Sequence, residues 1–163
     1  MTRHTLPAIF DRILDFFFFI ATVILALVAL MMLADIFLRT FFSAPIIGTI
    51  EISGYALLYI TFFGAAWLLR DEGHVVVDLV INQMNIRVKR ILNIISSIAG
   101  SMMCFILTWS SANATWYAFS TNYHGVAELE TPLYVVIIAI PIGLFLLAIQ
   151  FIRRTLKFYN AKA

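Results

Sequence analysis

The residues able to do chemistry are few, and most fall in one stretch that holds Glu51, Arg70, Asp71, Glu72, His74 and Asp78. His74 and Asp78 stand one helical turn apart, where an imidazole and a carboxylate could share a metal ion. A haem or metal centre, however, needs several such groups to converge. There are three histidines, His4, His74 and His124, and none lies within an apolar run. The single cysteine, Cys104, excludes an internal disulfide and a cysteine-based cluster, and inside an apolar run it reads as a small packing residue. Gly-rich phosphate loops are absent, which argues against an ATPase. These residues define no catalytic, substrate-binding or metal site, and they imply no enzyme activity, no cofactor and no nucleic-acid partner. Glu51, Arg70, His74 and Asp78 read instead as anchors at a membrane interface, with Asp71-Glu72-Gly73 as a turn.

The elements that carry these residues are apolar. Of 163 residues, 63% are hydrophobic and 12% charged, with a mean hydropathy of +0.98. A soluble domain carries about 25% charge, so most of this surface faces lipid or protein. Residues 16–34 hold no charge, a run too long for the apolar core of a secretory signal. Asp35 and Arg39 follow it at i,i+4 spacing and can pair at the membrane surface. Ser43-Ala44-Pro45 then breaks the chain. The run from Glu51 to Arg70 would make a helix of about 28 Å, close to the thickness of the hydrocarbon core. Residues 91–118 are uncharged over about 42 Å of helix, so this third helix must tilt or project. Thr131-Pro132 suggests an N-cap and a first-turn proline for the fourth run, in which Pro141 should introduce a kink. The expected fold is an all-α membrane protein in one domain, 1–163, with crossings at about 16–34, 51–70, 91–112 and 133–152. His74, Asp78, Asn82, Asn85 and Lys89 form a polar stripe, which predicts a short interfacial amphipathic helix over about 74–86.

Charge placement predicts orientation. With a cytoplasmic N-terminus, ten of the eleven Lys and Arg residues fall on the inner side, and Arg39 is the exception. Both termini are then cytoplasmic. Trp67 and Tyr159 lie near the inner face, and Trp116, Tyr117 and Tyr134 near the outer, as aromatic belts require.

Between the boundary charges the crossings contain no Asp, Glu, Lys, Arg or His, and no inverted repeat marks a transport site. The second helix offers small residues instead: Ser53, Gly54, Thr61, Gly64 and Ala65. Small side chains let helices approach closely in lipid. Ser97, Gly100 and Ser101 give the third helix a similar patch. Such faces could pack the four helices on one another or receive a partner bundle, since four short helices leave a large outer perimeter.

The stretch EISGYALLYITFFGAAWLLRDEGHVVVDLV resembles the small membrane subunit of tripartite ATP-independent periplasmic (TRAP) transporters. In that family an acid opens the second helix and a small-residue run precedes an arginine. A short spacer then leads to His-Val and an Asp. Here these are Glu51, Gly64-Ala65-Ala66, Arg70, His74-Val75 and Asp78. Asn82-Gln83-Met84-Asn85 departs from the Leu-Pro turn common in relatives, which affects where the interfacial helix ends. The resemblance implies a bacterial inner-membrane scaffold that does not itself bind substrate. Its partners would be a large multi-spanning subunit, which holds the substrate and sodium sites and moves like an elevator, and a periplasmic substrate-binding protein. Membrane lipids would surround it. Glu128 and Glu130, with the outer end of the third helix, are the expected docking region for the binding protein. Family members serve C4-dicarboxylates, sialic acids and other organic acids, so the resemblance implies an organic-acid substrate, with a sialic acid among the candidates. The competing readings are a small autonomous four-helix channel or exporter, and the membrane anchor of a redox enzyme.

Overall fold

The computed structural model describes residues 5–71, 86–123 and 131–160. Among them the chain forms α1 (Thr5–Phe42), α2 (Thr49–Asp71), α3 (Ile86–Ser120), α4 (Leu133–Ile137) and α5 (Ala139–Asn160), with no β-strand beyond an isolated bridge at Pro132. Four helical segments are long and apolar enough to cross a membrane: Ile9–Phe42, Thr49–Arg70, Ile91–Ser120 and Leu133–Tyr159, the last made by α4 and α5 together. In hydrocarbon a backbone must satisfy its own polar groups, and a lone crossing segment does so only as a helix. The interfacial helix expected over about 74–86 lies outside the described residues, apart from Ile86, which opens α3.

Each helix end has a local cause. Ser43 adopts a left-handed conformation (φ 53°) after α1, and the Ala44 N–H donates to the Leu38 carbonyl at 3.4 Å. Gly48, at φ 79°, makes the turn that starts α2. Asn122, at φ 48°, ends α3, while Tyr123 N–H donates to Ala118 O and Asn122 N–H to Phe119 O. That pair of bonds is a Schellman closure, with asparagine in the position glycine usually takes. The fourth segment is interrupted at Ile138. Pro141 has no N–H to offer the Ile137 carbonyl one turn back, so the expected disturbance falls just upstream of the proline.

The expected cap at Thr131 is not formed. Pro132 occupies the N-cap position of α4, and no side chain caps it. The Leu133 N–H, which such a cap would serve, already donates to Tyr123 O at 3.1 Å. Thr131 Oγ1 donates instead to the Tyr55 hydroxyl at 3.2 Å, tying this turn to α2.

The helices pack in a row: α1 on α2, α2 on α5, and α5 on α3, with α4 also against α3. Their burial follows that order. Only 6% of the most apolar stretch of α1 is buried, against 39% for α4–α5. Three small cores hold the row together: Leu14, Ala66 and Leu146; Ala21, Phe63 and Ala139; and Cys104, Leu144 and Ala148. Outside them Phe16, Phe19, Leu27, Leu30 and Leu33 of α1 are exposed, as are Met102, Met103 and Ile106 of α3. A membrane or a partner subunit must cover so much apolar surface.

Candidate functional site

Polar contacts concentrate at the end of the row where the start of α1 meets the ends of α2 and α5. Asp11 and Asp15, one turn apart on α1, each take a basic partner from a different helix. Arg153 Nη1 of α5 donates to Asp11 Oδ1 at 2.6 Å, and Arg70 Nη2 of α2 donates to Asp15 Oδ1 at 2.6 Å. Arg70 Nη1 also reaches the Asp11 carbonyl at 3.2 Å, and Trp67 Nε1 donates to Asp15 at 3.1 Å. Arg70 lies over the Trp67 ring at 5.6 Å, and Trp67 stacks on Phe18 at 3.9 Å. These contacts fix three helices relative to one another. Charge pairs this exposed are screened by water and add little net stability, so their main effect is on register and angle.

At the opposite end, Asp35 is buried rather than simply paired at a surface. Its Oδ2 accepts from Arg39 Nη2 at 3.1 Å, as the i,i+4 spacing predicts, while Oδ1 accepts the Ile46 backbone N–H at 2.7 Å. Thr49 Oγ1 donates to Ile46 O at 2.9 Å. The carboxylate thus ties down the α1–α2 turn.

The two small-residue patches have different surroundings. On α3, a Cβ added to Gly100 would lie 2.9 Å from the Phe151 ring of α5, Ser97 is fully buried, and Ser101 Oγ donates to the Ala148 carbonyl at 3.4 Å. This patch is consumed within the chain. On α2, nothing among the described residues lies within 4 Å of a Cβ built at Gly54 or Gly64. Gly54 and Thr61 are exposed, and Ser53, Gly64 and Ala65 half-buried. The hydroxyls turn onto their own helix, Ser53 to Thr49 O at 2.6 Å and Thr61 to Leu57 O at 2.8 Å. They leave an even, low surface of small groups.

Of the expected anchors, Glu51 sits half-buried in the first turn of α2 and Arg70 in its last turn. His74 and Asp78 lie outside the described residues, as do Glu128 and Glu130. Two features escaped the sequence reading. One is the acidic pair Asp11 and Asp15, whose i,i+4 spacing beside a basic end was the available signal. The other is Gly143 of α5, where an added Cβ would overlap the Phe62 carbonyl and lie 2.6 Å from the Phe62 Cβ. A lone glycine in a bulky apolar run marks such a close approach. Nearby, the Tyr59 hydroxyl donates to the Val135 carbonyl, which further ties α2 to α4.

Long apolar helices in an open row, joined by polar contacts at their ends, define a multi-pass helical membrane protein. Residues 28–159, most of the chain, match the family model of the DctQ component of tripartite ATP-independent periplasmic transporters, and the chain belongs to that family. It is 27% identical over 107 residues to a protein of Haemophilus influenzae described as a TRAP transporter small permease protein, a match covering 66% of this chain and 64% of that protein. It is 31% identical over 94 residues to the C4-dicarboxylate TRAP transporter small permease protein DctQ of Rhodobacter capsulatus, covering 56% and 40%. The chain thus spans less than two thirds of the length of either relative.

Proposed function

We propose that this chain is the fixed, non-catalytic scaffold of a sodium-driven secondary transporter for an organic acid in a bacterial inner membrane. A large multi-spanning subunit carries the substrate and sodium sites and moves them by an elevator motion. The small chain seats that subunit's immobile part through α2 and lies with both termini in the cytoplasm. A periplasmic binding protein delivers the substrate, with Glu128 and Glu130 near its docking region.

The observation that carries this reading is the open α2 face. A Cβ at Gly54 or Gly64 would have nothing within 4 Å among the described residues, while the patch of the same kind on α3 is filled. Helices in lipid associate through van der Waals packing, and small residues are what permit a close approach. Family membership supplies the partner class. The sequence supports a scaffold rather than a conduit, since no Asp, Glu, Lys, Arg or His falls between residues 16–34, 52–69, 91–118 or 133–152.

The test is reconstitution. Proteoliposomes holding the chain with its large partner should take up the organic acid when a sodium gradient and the binding protein are supplied. Vesicles holding the chain alone should not. Uptake by the chain alone would replace the scaffold with an autonomous transporter.

A further inference from the structure

We propose that the basic end of α5 forms a binding site for the phosphate-bearing headgroup of an anionic membrane lipid. A cavity of about 250 Å³ opens there, lined by Asp11, Leu69, Arg70, Gln150, Arg153, Arg154, Lys157 and Phe158. Four of the lining residues are cations and one is an acid. Asp11 is occupied by Arg153, and Arg70 is held by Asp15 just outside the cavity. Even with both acids counted, two positive charges remain. They belong to Arg154 and Lys157, neither of which forms an ion pair with a described carboxylate side chain.

Cations held side by side in a recess repel one another unless an anion joins them. The recess is built for one. Ion pairs and a cation–π contact fix two of its arginines, with Arg153 lying 4.9 Å from the Phe10 ring centre. Arg154 lies 5.7 Å from the ring centre of Phe158. Buried Gln150 accepts a hydrogen bond from Arg153 Nη1 at 3.4 Å and brings an amide to the wall. Arginine forks match phosphate oxygens in geometry, and a lysine adds a mobile point charge.

The position favours a lipid over a free phosphate. The cavity lies at the end of the apolar spans, among helices whose flanks expose large hydrophobic side chains. Leu69 and Phe158 give it apolar walls. Basic pockets between membrane helices at this level suit lipid headgroups. The site does not depend on the scaffold reading, because it uses only side chains of this chain.

The experiment is native mass spectrometry of the full-length chain released from nanodiscs of mixed phosphatidylglycerol and phosphatidylcholine. The wild type should retain phosphatidylglycerol in preference to phosphatidylcholine. Arg154→Gln combined with Lys157→Gln should reduce that preference about tenfold or more, since each cation near an anionic surface is worth several-fold. Among the described residues neither takes part in an interhelical ion pair, so the thermal melting of the variant should match the wild type. Arg12→Gln removes an exposed charge at the same end outside the cavity, and it should leave retention unchanged. Equal retention by the double variant would overturn the proposal. An equal drop in Arg12→Gln would overturn it in favour of general surface charge. Displacement of the lipid by millimolar inorganic phosphate or glycerol phosphate would overturn the lipid source and leave a soluble phosphate site.

Discussion

The patches around Gly64 on α2 and Gly100 on α3 have nearly the same composition but opposite situations. On α3 the missing side chain is filled by the ring of Phe151, and a neighbouring serine is fully buried. On α2 a Cβ added to Gly54 or Gly64 would have nothing within 4 Å among the described residues. In water an exposed glycine within a helix would be a plain cost of about 1 kcal/mol relative to alanine. In lipid, helix association draws little from the hydrophobic effect, and a small residue serves by letting another helix come close. The α3 patch already has that helix in α5. The α2 patch lacks one among the described residues. What separates them is therefore occupancy, and substitutions that fill each site give it a measurable form.

The largest effect belongs to Gly143, the tightest of the glycine contacts. Any side chain there collides with the Phe62 carbonyl, and a backbone carbonyl cannot turn away as a ring can. Gly143→Leu should separate α2 from α5 at the centre of the row, costing about 3 kcal/mol or more. The variant should fail to accumulate in the membrane, or melt far earlier in detergent. A melting curve unchanged from wild type would show that α2 and α5 do not pack at this point.

Gly100→Ala should cost less, about 1 kcal/mol, because the obstacle is the far end of the Phe151 side chain and can rotate. Pairing it with Phe151→Leu makes the contact testable: the double variant should recover most of the lost melting temperature. Additive losses would place Phe151 away from Gly100. Smaller still is the Asp11–Arg153 pair, which is partly exposed on both sides. A double-mutant cycle using Asp11→Asn and Arg153→Gln should give a coupling of about 0.5 kcal/mol that falls with added salt. A coupling of several kcal/mol, insensitive to salt, would mean that this end of the row is far drier than its exposure indicates.

The limits of the sequence reading follow from the same physics. Four crossings were legible because apolar run length maps directly onto helix length, and the Asp35–Arg39 pair because its spacing is local. The burial of Asp35 was not legible, since its second partner, the Ile46 N–H, lies across a turn whose path depends on Ser43 and Gly48. Nor was the cluster of Asp11, Asp15, Arg70 and Arg153, in which α1 meets residues far along the chain. A run such as Leu133–Ile152 carries little periodic contrast, because lipid and protein interior are both apolar. The run holds one glycine, Gly143, and there α5 comes so near α2 that an added Cβ would overlap the Phe62 carbonyl. For the same reason composition could not tell the Gly64 patch from the Gly100 patch. Both are small residues at helical spacing, and only the packed row separates them.

Gly64→Leu should have the smallest effect on the chain and the clearest effect on its assembly. A Cβ built at this position has nothing within 4 Å among the described residues, so the isolated protein should melt within about 0.5 kcal/mol of wild type. Helix propensity would even shift slightly in its favour. In the complex, the added side chain would occupy the space that a partner helix needs, and co-purification of the large subunit should be lost together with uptake. Stability and assembly thus separate at Gly64, whereas at Gly143 they must fail together. If Gly64→Leu left the complex intact, the α2 face would be lipid-facing, and the partner would have to dock on the exposed flank of α1 or α3. If it destabilised the isolated chain, Gly64 would be packed within it, and the contrast between α2 and α3 would disappear.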